Sequence, residues 1–420
     1  MNGMPMNHAE FVIRDVRVFD GEEVVERATV HVRGGLIEGI STQFDSADEV
    51  EVVDGRGKTL LPGLIDSHTH AQPPSLEDAL LFGVTTELDM FSCPEWMDGQ
   101  RRDAAERNDL ADVRSASIGA TVLGGHPSMM IGTYFAEQYP VVTSLQDASA
   151  FVGARVAEGA DYIKLLIDDG TSLGHDSPTL SEDVARTIVN AAHDHGKMAV
   201  AHVTSLAGAE QALRAGVNGL VHIFFDRPPT DEIIAQALDA GVFITPTLST
   251  VGSLASDIDG THLADDDRAR PLIPAPWREN LCQCWHLGSP GSLDHAIEAT
   301  RRMHEAGLDI LAGTDAASIG VVGTAHGVSM HGELELLVRA GLSPVQALRA
   351  ATSLPARRFG LHDRGRIAPG LQADLLLVEG DPTQEITATL SIAGIWRRGD
   401  KLSRARRDSA GPSKIGQPAV

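Results

Sequence analysis

The chain has 420 residues, of which 42% are hydrophobic and 22% are charged, and its formal net charge is −24 at pH 7. This composition is typical of a soluble globular protein, and the acidic balance argues against nucleic acid or an anionic membrane as a partner. The three cysteines are too few for a disulfide framework, and no signal peptide or membrane span is indicated, so we expect a cytoplasmic protein.

Both ends of the chain carry the pattern of short strands. Residues 9–57 contain apolar runs separated by glycine and acidic turns, and a similar pattern returns after residue 360. We therefore expect a small β-sandwich built jointly from residues 1–58 and 361–402. Residues 403–420 are polar and predict a flexible tail.

Between these ends, residues 59–360 alternate between strand, loop and helix patterns. The strand candidates are 60–67, 84–90, 116–123, 161–167, 198–203, 219–224, 241–248 and 308–314. Eight strands alternating with helices predict an α/β fold of the (β/α)8 TIM-barrel type. A doubly wound open sheet is the alternative, but no Gly-rich phosphate loop follows the first strand.

Residues 249–291 interrupt this alternation. They show little periodicity, are rich in Asp, Pro and Gly, and include Trp277, Trp285 and His286. Loops longer than about 12–15 residues are usually functional or disordered. Because this one follows a predicted barrel strand, we expect it to form a lid over the active-site face and to determine the substrate.

The predicted strands end in side chains that can bind metal ions. His68 and His70 close the first strand, where alternation places both on one face. Four further candidates occur in or at the end of later strands: Lys164, His202, His222 and Asp315. Each alone has an ordinary explanation, such as a hydrogen-bonded core histidine or a helix cap. Because strand ends of a barrel meet at one mouth, the set as a whole predicts a metal centre.

Lys164 is one of only five lysines and lies within an apolar strand. Burial lowers the pKa of a lysine amine, and a neutral amine can take up carbon dioxide to form a carbamate. The carbamate is a carboxylate on a long arm that can bridge two cations. The alternative is an ion pair with Asp168 or Asp169, but the accompanying ligand candidates favour the carbamate.

These motifs together resemble the amidohydrolase superfamily over nearly the whole chain. The matching segments are 62–70, 163–164, 201–202, 221–222 and 313–315. The spacing is most similar to the imidazolonepropionase-like and Xaa-Pro dipeptidase branch, which includes prolidase-type enzymes and ochratoxinase. The resemblance implies two divalent ions, most commonly zinc. It assigns His68, His70 and Asp315 to one ion and His202 and His222 to the other, with carboxylated Lys164 between them.

The resemblance also implies a reaction. It predicts cleavage of an amide C–N bond, as in a dipeptide or an N-acyl amino acid, by attack of a metal-bridging hydroxide. Asp315 would accept the proton and pass it to the leaving nitrogen. His126, in Gly124-Gly125-His126, would contact the substrate oxygen, although so short a motif is also found in simple turns.

Two positions depart from the pattern of this branch. Many of its dipeptidases have Tyr where this chain has Thr204, and Asp168 and Asp169 stand where small neutral residues are common. We expect Thr204 and Asp168 to line the substrate site, where the carboxylates disfavour an anionic substrate unless Arg227 compensates. Three other histidines are more typical of surface or supporting positions than of the site: His175, His326 and His331.

The same centre would also suit hydrolysis of a cyclic amide, a carbamate or an ester. A non-catalytic scaffold is a further alternative, against which the intact ligand set argues. We expect a small-molecule substrate and, because relatives often form dimers or larger rings, a homo-oligomer.

Overall fold

The structure is a computed structural model that describes residues 10–42, 50–130 and 140–404. The predicted tail 403–420 lies outside these residues except for positions 403 and 404. The strands are β1 (Phe11–Phe19), β2 (Val24–Arg33), β3 (Leu36–Ser41), β4 (Glu51–Asp54), β5 (Lys58–Pro62), β6 (Leu64–Thr69), β7 (Val84–Asp89), β8 (Asp112–Ser115), β9 (Ile163–Leu166), β10 (Ala199–His202), β11 (Gly219–Val221), β12 (Phe243–Thr245), β13 (Leu375–Glu379), β14 (Ile392–Arg397) and β15 (Asp400–Lys401).

Helices separate most of the central strands. They are α1 (Ser75–Leu81), α2 (Pro94–Glu106), α3 (Leu145–Ala157), α4 (Glu182–Asp194), α5 (Leu206–Ala215), α6 (Asp231–Ala240), α7 (Leu248–Leu254), α8 (Thr261–Ala264), α9 (Ala275–Leu281), α10 (Leu293–Glu305), α11 (Val328–Arg339), α12 (Pro344–Ala350) and α13 (Ser353–Arg358). Within the described ranges, none is long and apolar enough to cross a membrane.

Strands from both ends of the chain form one sheet, as the sequence predicts. Its order is β15-β14-β13-β5-β1-β2-β3, with β4 beside β1. The two ends meet where β5 pairs antiparallel with β13, and the rings of Phe11 and Trp396 stack with centroids 5.5 Å apart. Hydrogen bonds join all eight strands into a single sheet, and its arrangement as a two-layer sandwich stays a prediction.

The central strands form two parallel sheets, β6-β7-β8 and β12-β11-β10-β9. Isolated pairs connect β9 to the segment that follows β8, and both sheets to the segments on either side of Asp315: Ala120 with Leu165, Ile244 with Ile310, and Thr69 with Ala316. The carboxyl ends of β6, β10 and β11 carry predicted metal ligands, and Lys164 lies within β9. This parallel α/β arrangement therefore gathers side chains that are distant in sequence.

Three predicted strands differ from the structure. The first, 60–67, is divided at Gly63, so that its first half (β5) joins the large sheet and its second half (β6) the parallel one. A Cβ at Gly63 would lie 2.2 Å from Oγ1 of Thr85, so only glycine allows this crossing. The third lies at Asp112–Ser115, before the predicted 116–123, and Ser117 after it adopts a left-handed φ of 58°. The eighth is reduced to single pairs such as Ile244–Ile310.

The predicted lid, 249–291, is more ordered than its sequence pattern indicates. It contains most of α7 and all of α8 and α9, and Trp277 of α9 is buried in an apolar cluster that includes Leu281. Trp285 is half-buried and His286 is exposed. The sequence pattern did not indicate these helices because, at four to seven residues, they are too short to produce a visible period.

Candidate metal centre

His68, His70 and Asp315 converge at the end of β6. Their ligand atoms all lie within 4.8 Å of one another. Oδ1 of Asp315 is 3.2 Å from Nε2 of His68 and 3.0 Å from Nε2 of His70. The predicted first ligand group is therefore assembled in one place, from residues about 245 positions apart in the chain.

A buried carboxylate, Asp66, ties the two halves of this group together. Its Oδ1 accepts the backbone N–H groups of His68 at 3.2 Å and Thr314 at 3.0 Å, and its Oδ2 accepts the Thr314 hydroxyl at 2.7 Å. The N–H of Asp315 in turn donates to the carbonyl of His68 at 2.7 Å. Asp66 was assigned no role from the sequence, although a carboxylate inside an apolar strand was a visible signal for one.

The other predicted ligands surround this group. The ring of His222 lies 4.5 Å from the rings of both His68 and His202, and the ring of His126 stacks on His202 at 4.9 Å. Lys164 is only 2% exposed and lies in β9, opposite Val200 in the neighbouring strand β10 that ends in His202. All six predicted metal ligands and His126 thus belong to one cluster.

Hydrogen bonds select which ring nitrogen of two histidines is free. Nδ1 of His70 lies 3.1 Å from the carbonyl of Phe91, which can only accept a proton. Nδ1 of His222 lies 2.5 Å from Oγ1 of Thr247, whose own proton goes to the carbonyl of Pro246 at 2.8 Å. In the neutral rings Nδ1 therefore carries the proton, and Nε2 of both His70 and His222 is left with a lone pair for a metal ion.

Burial sets the protonation states in the cluster. It lowers the pKa of His68 to about 3, of His126 to about 4 and of Lys164 to about 7. Burial alone would raise the pKa of Asp315, but its interactions with the surrounding histidines, His68 and His222 above all, hold it well below its usual range. Neutral imidazoles, an ionised carboxylate and a readily deprotonated amine are the states in which these groups bind metals.

The residues fit a divalent cation. Oδ1 of Asp315 is buried and accepts no hydrogen bond, although Nε2 of His68 and of His70 lie close to it. Lone pairs that face one another in this way need a cation or a proton between them. Burial lowers the pKa of His70, yet its contact with Asp315 outweighs burial and raises it, as expected where a positive charge is missing.

The residues predicted to contact the substrate do not all lie at the cluster. Thr204 and Asp168 lie at the cluster, where the Thr204 hydroxyl donates to Oδ1 of Asp168 at 2.9 Å and Oδ2 of Asp168 is 3.3 Å from Nε2 of His202. Arg227 differs, since its side chain is 64% exposed and its Nε donates to Asp226 at 2.8 Å. Contact of these residues with a substrate stays a prediction.

The three remaining histidines have separate surroundings. His326 is buried with Nδ1 2.6 Å from Oε1 of Glu87, and His331 is buried with Nε2 3.0 Å from the carbonyl of Phe82. His175 is exposed. These positions agree with supporting or surface roles.

Comparison with known proteins gives the family. Residues 59–401 match the model of the amidohydrolase family. The chain belongs to this family. This amidohydrolase is 25% identical to the imidazolonepropionase of Deinococcus radiodurans, over 90% of this chain and 93% of that protein. The resemblance derived from the sequence motifs is thereby confirmed.

Solved structures show the same fold. A Xaa-Pro dipeptidase with bound methionine is 22% identical and superposes with a TM-score of 0.73, covering 94% of this chain and all of that one. Molinate hydrolase is 18% identical and superposes with a TM-score of 0.76, covering 99% of this chain and all of that one. The α/β architecture of this amidohydrolase is therefore that of known hydrolases.

Proposed function

We propose that the protein is a metal-dependent hydrolase that cleaves an amide C–N bond with the help of two divalent ions, most simply zinc. The observation that carries the proposal is the convergence of Asp315 Oδ1 with Nε2 of His68 and His70, without a hydrogen bond, inside a ring of further ligands. A set of facing acceptors in which Asp315 Oδ1 and His68 are buried is costly unless a cation completes it. This cost argues against the scaffold alternative.

We interpret the two parallel sheets as parts of one (β/α)8 barrel. The pairs that involve Ala120, Ile244 and Thr69 would close it. In this interpretation residues 59–360 form the catalytic barrel, and residues 1–58 and 361–402 form the accessory β domain. The site then lies at the carboxyl ends of the strands, where barrels of this type carry their chemistry.

The ligands divide between two positions in the proposal. His68, His70 and Asp315 hold one ion, and His202 and His222 hold the other. Lys164 would join them as a carbamate, in which its neutral amine bonds to the carbon of carbon dioxide and loses a proton. Its burial and its pKa of about 7 support this, because a large share of the amine is neutral near physiological pH.

The bound ions would supply Lewis-acid polarisation of the substrate carbonyl and a lowered pKa for water. The protein contributes the proton transfers. Asp315 is ionised and buried, so it can accept the proton of the attacking water and return it to the leaving nitrogen. His126 is neutral and stacks on His202, from where a ring N–H can donate to the substrate oxygen.

The surroundings favour an uncharged, apolar substrate over a dipeptide with a free carboxylate. Arg227 is already paired with Asp226, and Asp168 adds negative charge at the cluster. Large apolar side chains are exposed in segments that follow parallel strands: Trp96, Leu123, Met129 and Leu287. Molinate hydrolase, with its similar fold, is named for a substrate other than a peptide. A neutral amide or carbamate therefore ranks above a dipeptide.

We also propose the partners, the assembly and the location of the enzyme. A small molecule is the substrate, and the net charge of −24 supports a partner set without nucleic acid or anionic membrane. A homo-oligomer in the cytoplasm is the expected assembly and location.

Metal analysis and a substrate screen test the proposal. The purified full-length chain should hold about two divalent ions, and fewer than about one would contradict the metal centre. The zinc-loaded protein is then offered matched pairs of aromatic amides and carbamates, N-acyl amino acids and dipeptides, each with a free and an esterified carboxylate. Faster hydrolysis of the neutral member of each pair is expected. Preference for the free carboxylate would refute the substrate class but not the metal centre.

A further inference from the structure

Asp168 follows β9 and is 4% exposed, and both of its oxygens have partners. Oδ1 accepts the hydroxyl of Thr204 at 2.9 Å and the N–H of Gly170 at 3.0 Å. Oδ2 lies 3.3 Å from Nε2 of His202. The carboxylate is therefore fixed in place on one side and directed at a single imidazole on the other.

This contact determines where the proton of His202 resides. An ionised carboxylate can only accept, so the hydrogen bond requires that Nε2 of His202 carries the proton. A neutral imidazole then has its lone pair on Nδ1. Nδ1 of His202 is thus the nitrogen left for a metal ion.

His202 differs in this respect from two other histidines of the cluster. His70 and His222 are held at Nδ1 by neutral oxygens, those of Phe91 and Thr247, and keep Nε2 free. His202 is held at the opposite nitrogen and by a charged group. An imidazole binds a metal ion more strongly when its other nitrogen is hydrogen-bonded to a carboxylate than when it is hydrogen-bonded to a neutral oxygen.

We propose that Asp168 is a positioning residue that fixes the orientation and tautomer of His202, so that Nδ1 of this ring binds the second ion. The inference rests on the proposed metal centre. Asp168 contacts the predicted ligand His202, and its role in this inference is to increase the affinity of that one metal position.

The neighbouring contacts explain how Asp168 is held. The hydroxyl of Thr204 that donates to Asp168 itself accepts the hydroxyl of Ser172 at 2.8 Å, and the Ser289 hydroxyl donates to the carbonyl of Ser172 at 2.5 Å. Thr204 and Asp168 are the two positions at which this chain departs from the dipeptidase pattern. Their direct hydrogen bond indicates that both residues belong to one chain of contacts, which extends through Ser172 to Ser289 in the predicted lid.

Metal affinity measured by competition with a chromophoric chelator tests the role. In D168N the side chain keeps its size but loses its charge, and the second ion should bind about 10–100-fold more weakly while the first is unchanged. D169N is the matched control, because the adjacent Asp169 accepts from Thr171 at 2.6 Å and from Ser205 at 3.2 Å, and among the described residues its carboxylate has no hydrogen bond to a histidine. D169N should bind both ions as the wild type does.

A crystal structure of the zinc-loaded wild type provides a measurement that does not depend on the stability of a variant. Nδ1 of His202 should lie about 2.0–2.1 Å from the second ion. Coordination through Nε2, or by an oxygen of Asp168, would overturn the inference. Two ions in the wild type with unchanged affinities in D168N would overturn only the role of Asp168. A wild type that binds no ion would overturn the metal centre and this inference with it.

Discussion

Replacement of Glu333 by Gln should change the pH dependence of stability in a predictable direction. Glu333 of α11 is fully buried and accepts the N–H groups of Leu248 at 2.9 Å and Ser249 at 2.8 Å, together with the Ser249 hydroxyl at 2.8 Å. It thereby caps α7, because the preceding Thr247 is occupied with His222. The carboxylate supports the segment whose Thr247 holds the predicted ligand His222.

Burial raises the pKa of Glu333 from its usual 4.5 to about 7, although its three hydrogen bonds oppose the shift. Between these pH values the folded protein therefore holds more protons than the unfolded chain, so its free energy of unfolding falls as the pH rises. At about 1.4 kcal/mol per pKa unit, the wild type should lose about 2.5 kcal/mol from this group between about pH 5 and pH 8.

Glutamine cannot titrate, so E333Q lacks this contribution. Denaturant unfolding of both proteins at several pH values gives the difference between their free energies of unfolding. That difference, wild type minus variant, should be largest near pH 5 and shrink by about 2.5 kcal/mol toward pH 8. E232Q, at an exposed position of α6, should stay within about 0.5 kcal/mol of the wild type throughout. A difference that is constant with pH, or that grows toward pH 8, would refute the argument from burial.

Three further predictions concern the metal cluster. D315N should lower kcat by about 100- to 10,000-fold while most of the bound metal is retained, since the proton acceptor is lost but an oxygen ligand remains. Kinetics and metal analysis of the same preparation check both parts. An unchanged kcat would exclude Asp315 as the base. Chelator-treated protein should regain activity with zinc faster when bicarbonate is present. Native mass spectrometry should show one added carbon dioxide in the wild type and none in K164A. Recovery independent of bicarbonate would argue for an unmodified Lys164. G313A should destabilise the protein by about 1–3 kcal/mol, because a new Cβ would lie 2.5 Å from Cγ2 of Thr245 and 2.9 Å from the backbone nitrogen of His68. The control is G153A, whose Cβ meets nothing within 4 Å and which should raise the melting temperature slightly.

The site residues were predictable because they obey a local rule. Each predicted ligand except Lys164 occurs at the end of an apolar run, and the carboxyl ends of parallel strands necessarily meet. Lys164 was recognisable because a lysine within such a run is costly unless it is used. The family, the alternation of strands and helices, and the pairing of the two chain ends followed from the same kind of pattern.

The boundaries of individual strands were less predictable. Gly63 divides one apolar run between two sheets, at a point where the close approach to Thr85 leaves no room for a Cβ. The third strand lies at Asp112–Ser115 rather than in the more apolar run that follows it, and the left-handed angle of Ser117 is not evident from its residue type. The short helices in 249–291 are held by tertiary packing around Trp277 rather than by an amphipathic repeat.

The amino-acid sequence by itself was enough to predict the histidines, Lys164 and Asp315 of the candidate site, since residue type and strand periodicity are local properties. Only the tertiary structure decided how they are oriented. The bond from Asp66 to Thr314 joins residues 248 positions apart, and Thr247 and Asp168 select opposite nitrogens of His222 and His202. Such choices depend on hydrogen-bond directions between segments that no local pattern relates.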